Sequence, residues 1–106
     1  LFSTFGLGAD DLAELLSAAT GVTFTTDDFM KIGARIWNLE RLFNLKAGLS
    51  AADDKLPERI TKEPIMSGPS KGLVNRLGEM LPEYYKLRGW DASGVPTKNT
   101  LAGLGL

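Results

Sequence analysis

At 106 residues, with 43% hydrophobic and 24% charged side chains, the chain has the makeup of a single soluble domain expected to bury roughly 65% of its unfolded surface. Twelve Lys and Arg against thirteen Asp and Glu leave a net charge of -1, which gives no basic field to attract nucleic acid or an anionic membrane surface. With no cysteine and no histidine the chain excludes disulfides and lacks the usual ligands of zinc, thiolate iron and haem, so only carboxylates could hold a metal.

No apolar run approaches the roughly 18 residues of a membrane helix, and the N-terminus lacks a charged flank followed by an apolar stretch. The expected location is cytoplasmic. The first predicted helix covers Ala9 to Thr20, where Leu12, Leu15, Leu16 and Ala19 recur at helical spacing, Asp10 and Asp11 suit the positive N-terminal end, and Gly21 stops it. The second starts at Thr25 or Thr26, because Thr25-x-x-Asp28 resembles a capping box, and runs to about Ala47 before Gly48. On a wheel, Phe29, Ile32, Ile36, Leu39 and Phe43 fall within an arc of about 80° and predict the core seam, with Lys31, Arg35 and Asn38 pointing away.

Met30, Gly33, Ala34 and Trp37 form a second patch beside that seam. Either other helices of this chain cover Trp37, or another part of a larger protein docks there. Glu40 lies between seam and patch: covered, it needs a partner such as Arg59; open, it is solvated. From Gly48 to Gly72, Pro57, Pro64, Gly68 and Pro69 break any long period and predict a surface connector, with single helical turns at residues 50–54 and 56–60. A further helix is predicted from Leu73 or Val74 to Leu87, continuous but kinked at Pro82 and stopped by Gly89. Beyond it Trp90 closes the helix end, Asp91 to Gly94 turn, and Thr97 caps a last short helix carrying Leu101 and Leu104. The fold class is all-α, a compact orthogonal or irregular bundle of about four to five helices with a Pro/Gly-rich connector, residues 1–106 forming a single domain.

The acidic pairs Asp10-Asp11, Asp27-Asp28 and Asp53-Asp54 sit at predicted helix starts, where capping and the helix dipole favour them without any catalytic role. Of Tyr84 and Tyr85, adjacent on a helix and about 100° apart, one is expected to pack and the other to stay half exposed. Read from these residues alone, the chain carries no self-contained active site, and a stand-alone helical interaction module remains one reading of it.

Two stretches supply another. Arg35-Ile36-Trp37-Asn38-Leu39-Glu40-Arg41-Leu42-Phe43-Asn44 and Glu79-Met80-Leu81-Pro82-Glu83-Tyr84-Tyr85-Lys86-Leu87-Arg88-Gly89-Trp90-Asp91, with Leu56-Pro57-Glu58-Arg59 and Gly94-Val95-Pro96-Thr97, resemble the C-terminal part of the tungsten-containing aldehyde:ferredoxin oxidoreductase family. The resemblance implies a parent enzyme in which a tungstopterin oxidises an aldehyde to a carboxylate and a four-iron four-sulfur cluster passes the electrons to ferredoxin. Relatives that reduce carboxylates or aromatic acyl thioesters form an alternative within the same family.

The family's last cluster cysteine immediately precedes a Leu-Phe pair like Leu1-Phe2, so the resemblance implies that Leu1 and Phe2 lie beside pterin and cluster as cofactor-contacting residues, with no catalytic residue and no metal ligand in this chain. It further implies that the fragment alone holds no cofactor and is inactive, and that its partner is the remainder of the parent enzyme. Apolar surface uncovered at Leu1, Phe2, Phe5, Met30 and Trp37 would otherwise be met by folding back or by self-association.

Overall fold

The computed structural model describes residues 6–106, so the expectations placed on Leu1, Phe2 and Phe5 lie outside the described residues. Among the described residues the chain forms five α-helices and no strand: α1 (Ala9–Thr20), α2 (Thr26–Lys46), α3 (Glu58–Lys62), α4 (Leu77–Arg88) and α5 (Lys98–Leu104), with a single 3-10 turn at Ala51–Asp53. The all-helical class is the one the sequence predicts.

The helix ends follow local chemistry. Asp11 accepts from the Gly8 amide at the start of α1, and Gly21, at φ 71°, closes it with a hydrogen bond to Ser17. Thr25 and Asp28 form the reciprocal capping box of α2: the Thr25 hydroxyl oxygen accepts from the Asp28 amide, and the Asp28 carboxylate accepts from the Thr25 amide. Hydrogen bonds from the Thr25 side chain and backbone hold the Asp28 carboxyl below its ordinary range. The Ser17 hydroxyl accepts from the Phe24 amide at 2.8 Å, fixing the turn between α1 and α2.

Helix α4 begins at Leu77, later than the expected Leu73 or Val74. The residues before it are engaged elsewhere: Asn75 donates its amide to Ile60 of α3, and Ile65 and Gly72 pair across a tight loop. Pro82 lies inside α4, where its missing N–H leaves the Gly78 carbonyl without its usual donor. Gly89, at φ 68°, ends the helix and admits the Thr100 hydroxyl, which donates to the Gly89 carbonyl at 2.7 Å. Thr97 caps α5 through the Thr100 amide.

The expected core seam holds in part at its start, where Phe29 and Ile32 are half-buried, and requires correction beyond it. Ile36, Leu39 and Phe43 are 53%, 50% and 72% exposed, whereas Asn38, expected to point away, is 2% exposed, and Arg41 is buried with it. Ala34, Asn38, Arg41 and Leu45 occupy an arc centred about 180° from the predicted seam, so α2 turns its polar-containing side inward and its apolar side out. Asn38 and Arg41 tolerate burial because the interior satisfies every polar atom they bring. Arg35, also expected to point away, is half-buried and donates to the carbonyls of Leu104 and Gly105, which places a cation at the negative end of α5 and ties that helix to α2. Leu15, on the apolar stripe of α1, and Met80 of α4 are likewise more than half exposed.

The helices thus spread rather than close into the compact bundle expected from the sequence, because the apolar arc of α2 beyond Ile32 has no helix of the described residues against it. The chain measures 51 × 35 × 21 Å with a radius of gyration of 17.8 Å, against about 13 Å for a closed domain of this length. Its accessible surface of 8352 Å² corresponds to burial of about half the unfolded surface, not the roughly 65% expected from length. No helix of the described residues is long and apolar enough to cross a membrane.

Candidate functional site

Among the described residues α2, the connector, α4 and the segment after it converge on a groove of about 390 Å³, walled by Trp37, Arg41, Leu81, Tyr84, Tyr85 and Trp90, with Glu40, Asp54 and Lys55 at its polar side. Helical spacing delivers Trp37, Asn38 and Arg41 to this side of α2, and Leu77, Leu81, Tyr84 and Tyr85 to the facing side of α4. The left-handed stop at Gly89 then reverses the chain, so that Trp90 comes back over Tyr85, where its amide bonds the Tyr85 carbonyl at 2.8 Å.

Arg41 organises the floor. Its Nη1 and Nη2 donate to the two carboxylate oxygens of Asp54 at 2.8 and 2.7 Å, and its Nε donates to the Gly94 carbonyl at 2.8 Å. The guanidinium also stacks on the Trp90 ring, 4.9 Å from the centroid. The Tyr85 hydroxyl donates to Asp54 Oδ2 in a short hydrogen bond, and Trp90 Nε1 donates to Asn38 Oδ1 at 2.9 Å, while Asn38 Nδ2 returns to the Ala34 carbonyl. These bonds join α2, the 3-10 turn, α4 and the 91–96 turn in one network. Among the described residues no buried side-chain polar atom lacks a partner.

The electrostatics agree with that geometry. The hydrogen bond from Arg41 holds the Asp54 carboxyl below its ordinary range against the opposing effect of burial, and the Tyr85 hydroxyl adds to it. Burial, and then donation to Asp54, push the Tyr85 phenol up, so it remains a neutral donor. The Asp54 hydrogen bond raises Arg41. Each group is used up by its neighbours, and the network's chemistry is therefore that of a clamp: it fixes the connector and the post-helix turn against two helices.

A second aromatic group lies at the rim. Trp37 Nε1 donates to the Tyr84 hydroxyl at 2.7 Å, and Arg88 covers both rings, with its guanidinium 5.0 Å from Trp37 and 5.4 Å from Tyr84. Trp37 is covered in part by this chain's own α4 and remains 45% exposed. Glu40 is exposed on the groove's edge, and Arg59, its suggested partner, pairs instead with Glu63 at 3.4 Å.

Of the acidic pairs, Asp11, Asp28 and Asp53 cap helix or turn starts as the sequence indicates. Asp54 is different: it is the acceptor of the clamp. Of the adjacent tyrosines Tyr85 is the packed one and Tyr84 the half-exposed one. Arg41, Asp54 and Asn38 escaped sequence reasoning as functional positions; the available signal was their helical neighbours, since Asn38 and Arg41 are three apart and share the side of α2 that carries Ala34.

The family model described as aldehyde ferredoxin oxidoreductase, domains 2 & 3, matches residues 2–106. The chain is 62% identical over its whole length to the tungsten-containing aldehyde ferredoxin oxidoreductase of Pyrococcus furiosus, of which it spans 18%. It is 32% identical, over 93% of its length, to the WOR-like subunit of an aliphatic sulfonate oxidoreductase from the same organism, of which the match spans 17%. Among solved structures, the active site complex BamBC of benzoyl coenzyme A reductase superposes with a TM-score of 0.72 at 30% identity, over 92% of this chain and 14% of that one.

Proposed function

This chain belongs to the aldehyde ferredoxin oxidoreductase family, and from that membership we propose that it is the C-terminal helical scaffold of a tungsten enzyme oxidising aldehydes to carboxylates with ferredoxin as electron acceptor. The observation that carries the substrate class is the gap in identity: 62% to an aldehyde enzyme against 32% to a sulfonate enzyme. The helical fold is shared with a complex that handles a coenzyme A ester, so fold alone leaves carboxylate or acyl-thioester reduction as the competing reading, and the sequence identity favours the aldehyde.

A tungstopterin and an iron–sulfur cluster are implied for such an enzyme, and the residues present supply no thiolate or imidazole ligand for the cluster's iron and no carboxylate set for a bare metal ion. The chain has no cysteine and no histidine, and among the described residues no three acidic side chains gather into a metal site. The ligands belong, on this reading, to the polypeptide outside this chain, with Leu1 and Phe2 at its boundary with the cofactors. What this chain contributes is rigidity: the Arg41–Asp54 clamp locks connector and helices into one support on which the rest of the enzyme is held.

The reading is tested on the full polypeptide that carries this sequence, purified without oxygen and offered aldehydes or aliphatic sulfonates with oxidised ferredoxin, and aromatic acyl-coenzyme A esters with reduced ferredoxin. Aldehyde-dependent ferredoxin reduction is expected. Turnover confined to sulfonates or thioesters overturns the substrate class. Separately, the 106-residue chain given iron and sulfide is expected to gain no cluster absorption, and stoichiometric absorption would contradict the assignment of the ligands to the rest of the polypeptide.

A further inference from the structure

The outward arc of α2 is an inverted surface. A helix on the outside of a protein ordinarily turns charged side chains to water and apolar ones inward, yet here Ile36, Leu39 and Phe43 face out at half exposure or more while Asn38 and Arg41 are buried behind them. No charged side chain lies within the arc; Glu40 stands at one edge and Lys46 at the other. We propose that this arc is a docking face for an uncharged, apolar element of the same longer polypeptide, supplied by the part of the enzyme outside this chain. The inference rests on the reading of the chain as a piece of a larger oxidoreductase.

Area decides between that occupant and a second copy of the chain. A folded protein of 11.4 kDa exposes about 5,800 Å², and this one exposes 8352 Å². The excess of about 2,500 Å² is roughly three times what each partner contributes to a stable dimer of standard size. A two-fold contact covers one patch, whereas the exposed apolar side chains here also include Leu15 on α1, Met66 in the connector, Leu73 between connector and α4, and Leu87 on α4. A larger body than one further copy answers to this, and the Pyrococcus furiosus relative has the length for it: this chain spans 18% of that enzyme, leaving more than four-fifths of the polypeptide outside it. Uncharged apolar surface meeting the arc also leaves the clamp on the opposite side of α2 undisturbed, since Arg41 and Asp54 are already satisfied by each other.

The test uses the full-length polypeptide. Hydroxyl-radical footprinting is expected to show loss of side-chain oxidation at Ile36, Leu39 and Phe43, and a benzophenone amino acid placed at position 43 is expected to cross-link to a peptide of its own polypeptide. Oxidation of these three residues at the rate of free side chains overturns the proposal, and so does a cross-link that yields a product of twice the mass. The mass of the native polypeptide reports separately on the underlying reading. A native protein of 11.4 kDa overturns that reading together with this occupant, whereas a long polypeptide with a freely oxidised arc overturns the docking face alone.

Discussion

Gly94 and Arg41 are packed so closely that a Cβ on the glycine would run into Nη2 of the guanidinium, while the Gly94 carbonyl accepts from Nε of the same side chain. Gly94 also sits at φ 69°, where a side chain is strained. Gly94→Ala is therefore expected to cost about 2 to 4 kcal/mol, combining left-handed strain with a displaced buried cation. Gly72, at φ 82° in open space, is the control, and Gly72→Ala should cost only about 1 to 2 kcal/mol from the backbone. Urea unfolding of the two variants checks this, and equal losses would mean that contact with Arg41 contributes nothing.

Removing the carboxylate leaves the Arg41 cation buried without its counter-charge. Asp54→Ala should destabilise by about 2 to 4 kcal/mol, below the full figure for a buried pair because Asp54 keeps some contact with water. Replacing both partners, Arg41→Met with Asp54→Ala, should recover part of that loss, since no unpaired charge then remains inside. A double-mutant cycle by denaturant unfolding measures the difference.

Acid provides a second view of the same pair. Arg41 holds the Asp54 carboxyl below its ordinary range, with Tyr85 assisting, so the folded pKa lies beneath the unfolded one. The resulting stability is fully present above the unfolded value of about 3.9 and is lost as pH falls through the lower folded value. The stability gap between the native sequence and Asp54→Ala should thus stay constant from neutrality to about pH 5 and shrink below about pH 4. A gap that widens on acidification would contradict the pairing.

Burial predicts opposite responses for two large side chains. Ile36→Ala, at a position 53% exposed, should cost the 106-residue chain less than about 1 kcal/mol, whereas Trp90→Ala, which removes the buried ring over Arg41, should cost about 3 to 5 kcal/mol. Thermal unfolding ranks them. A reversed ranking would return the core to the apolar arc of α2.

The error over α2 shows where sequence reading stopped. Helical periodicity correctly located an apolar arc from Phe29 to Phe43, but an amphipathic pattern states that a face is apolar without stating what covers it. The opposite face goes inward because its polar atoms find partners remote in sequence: Gly94 for Arg41 Nε and Trp90 for Asn38 are each more than fifty residues away. Such pairings carry no local signature. The capping box at Thr25, the glycine stops at Gly21 and Gly89 and the cap at Thr97 were legible because each is completed within a few residues. Asp54 shows the same boundary from the other side: beside Asp53, which caps a turn, it looked like a second cap, and only the fold brings Arg41 and Tyr85 to it.

The two tryptophans of this chain occupy opposite optical environments. Trp90 is enclosed between Arg41 and the tyrosine rings, with its indole N–H held by Asn38; Trp37 has nearly half its surface in water and an arginine across its face. Acrylamide should consequently quench one emitter and spare the other, giving a biphasic Stern–Volmer plot. The spared component follows the integrity of the clamp, and the quenched one follows whatever comes to lie against the groove's rim, so a single emission spectrum separates unfolding of the scaffold from its detachment from a larger body.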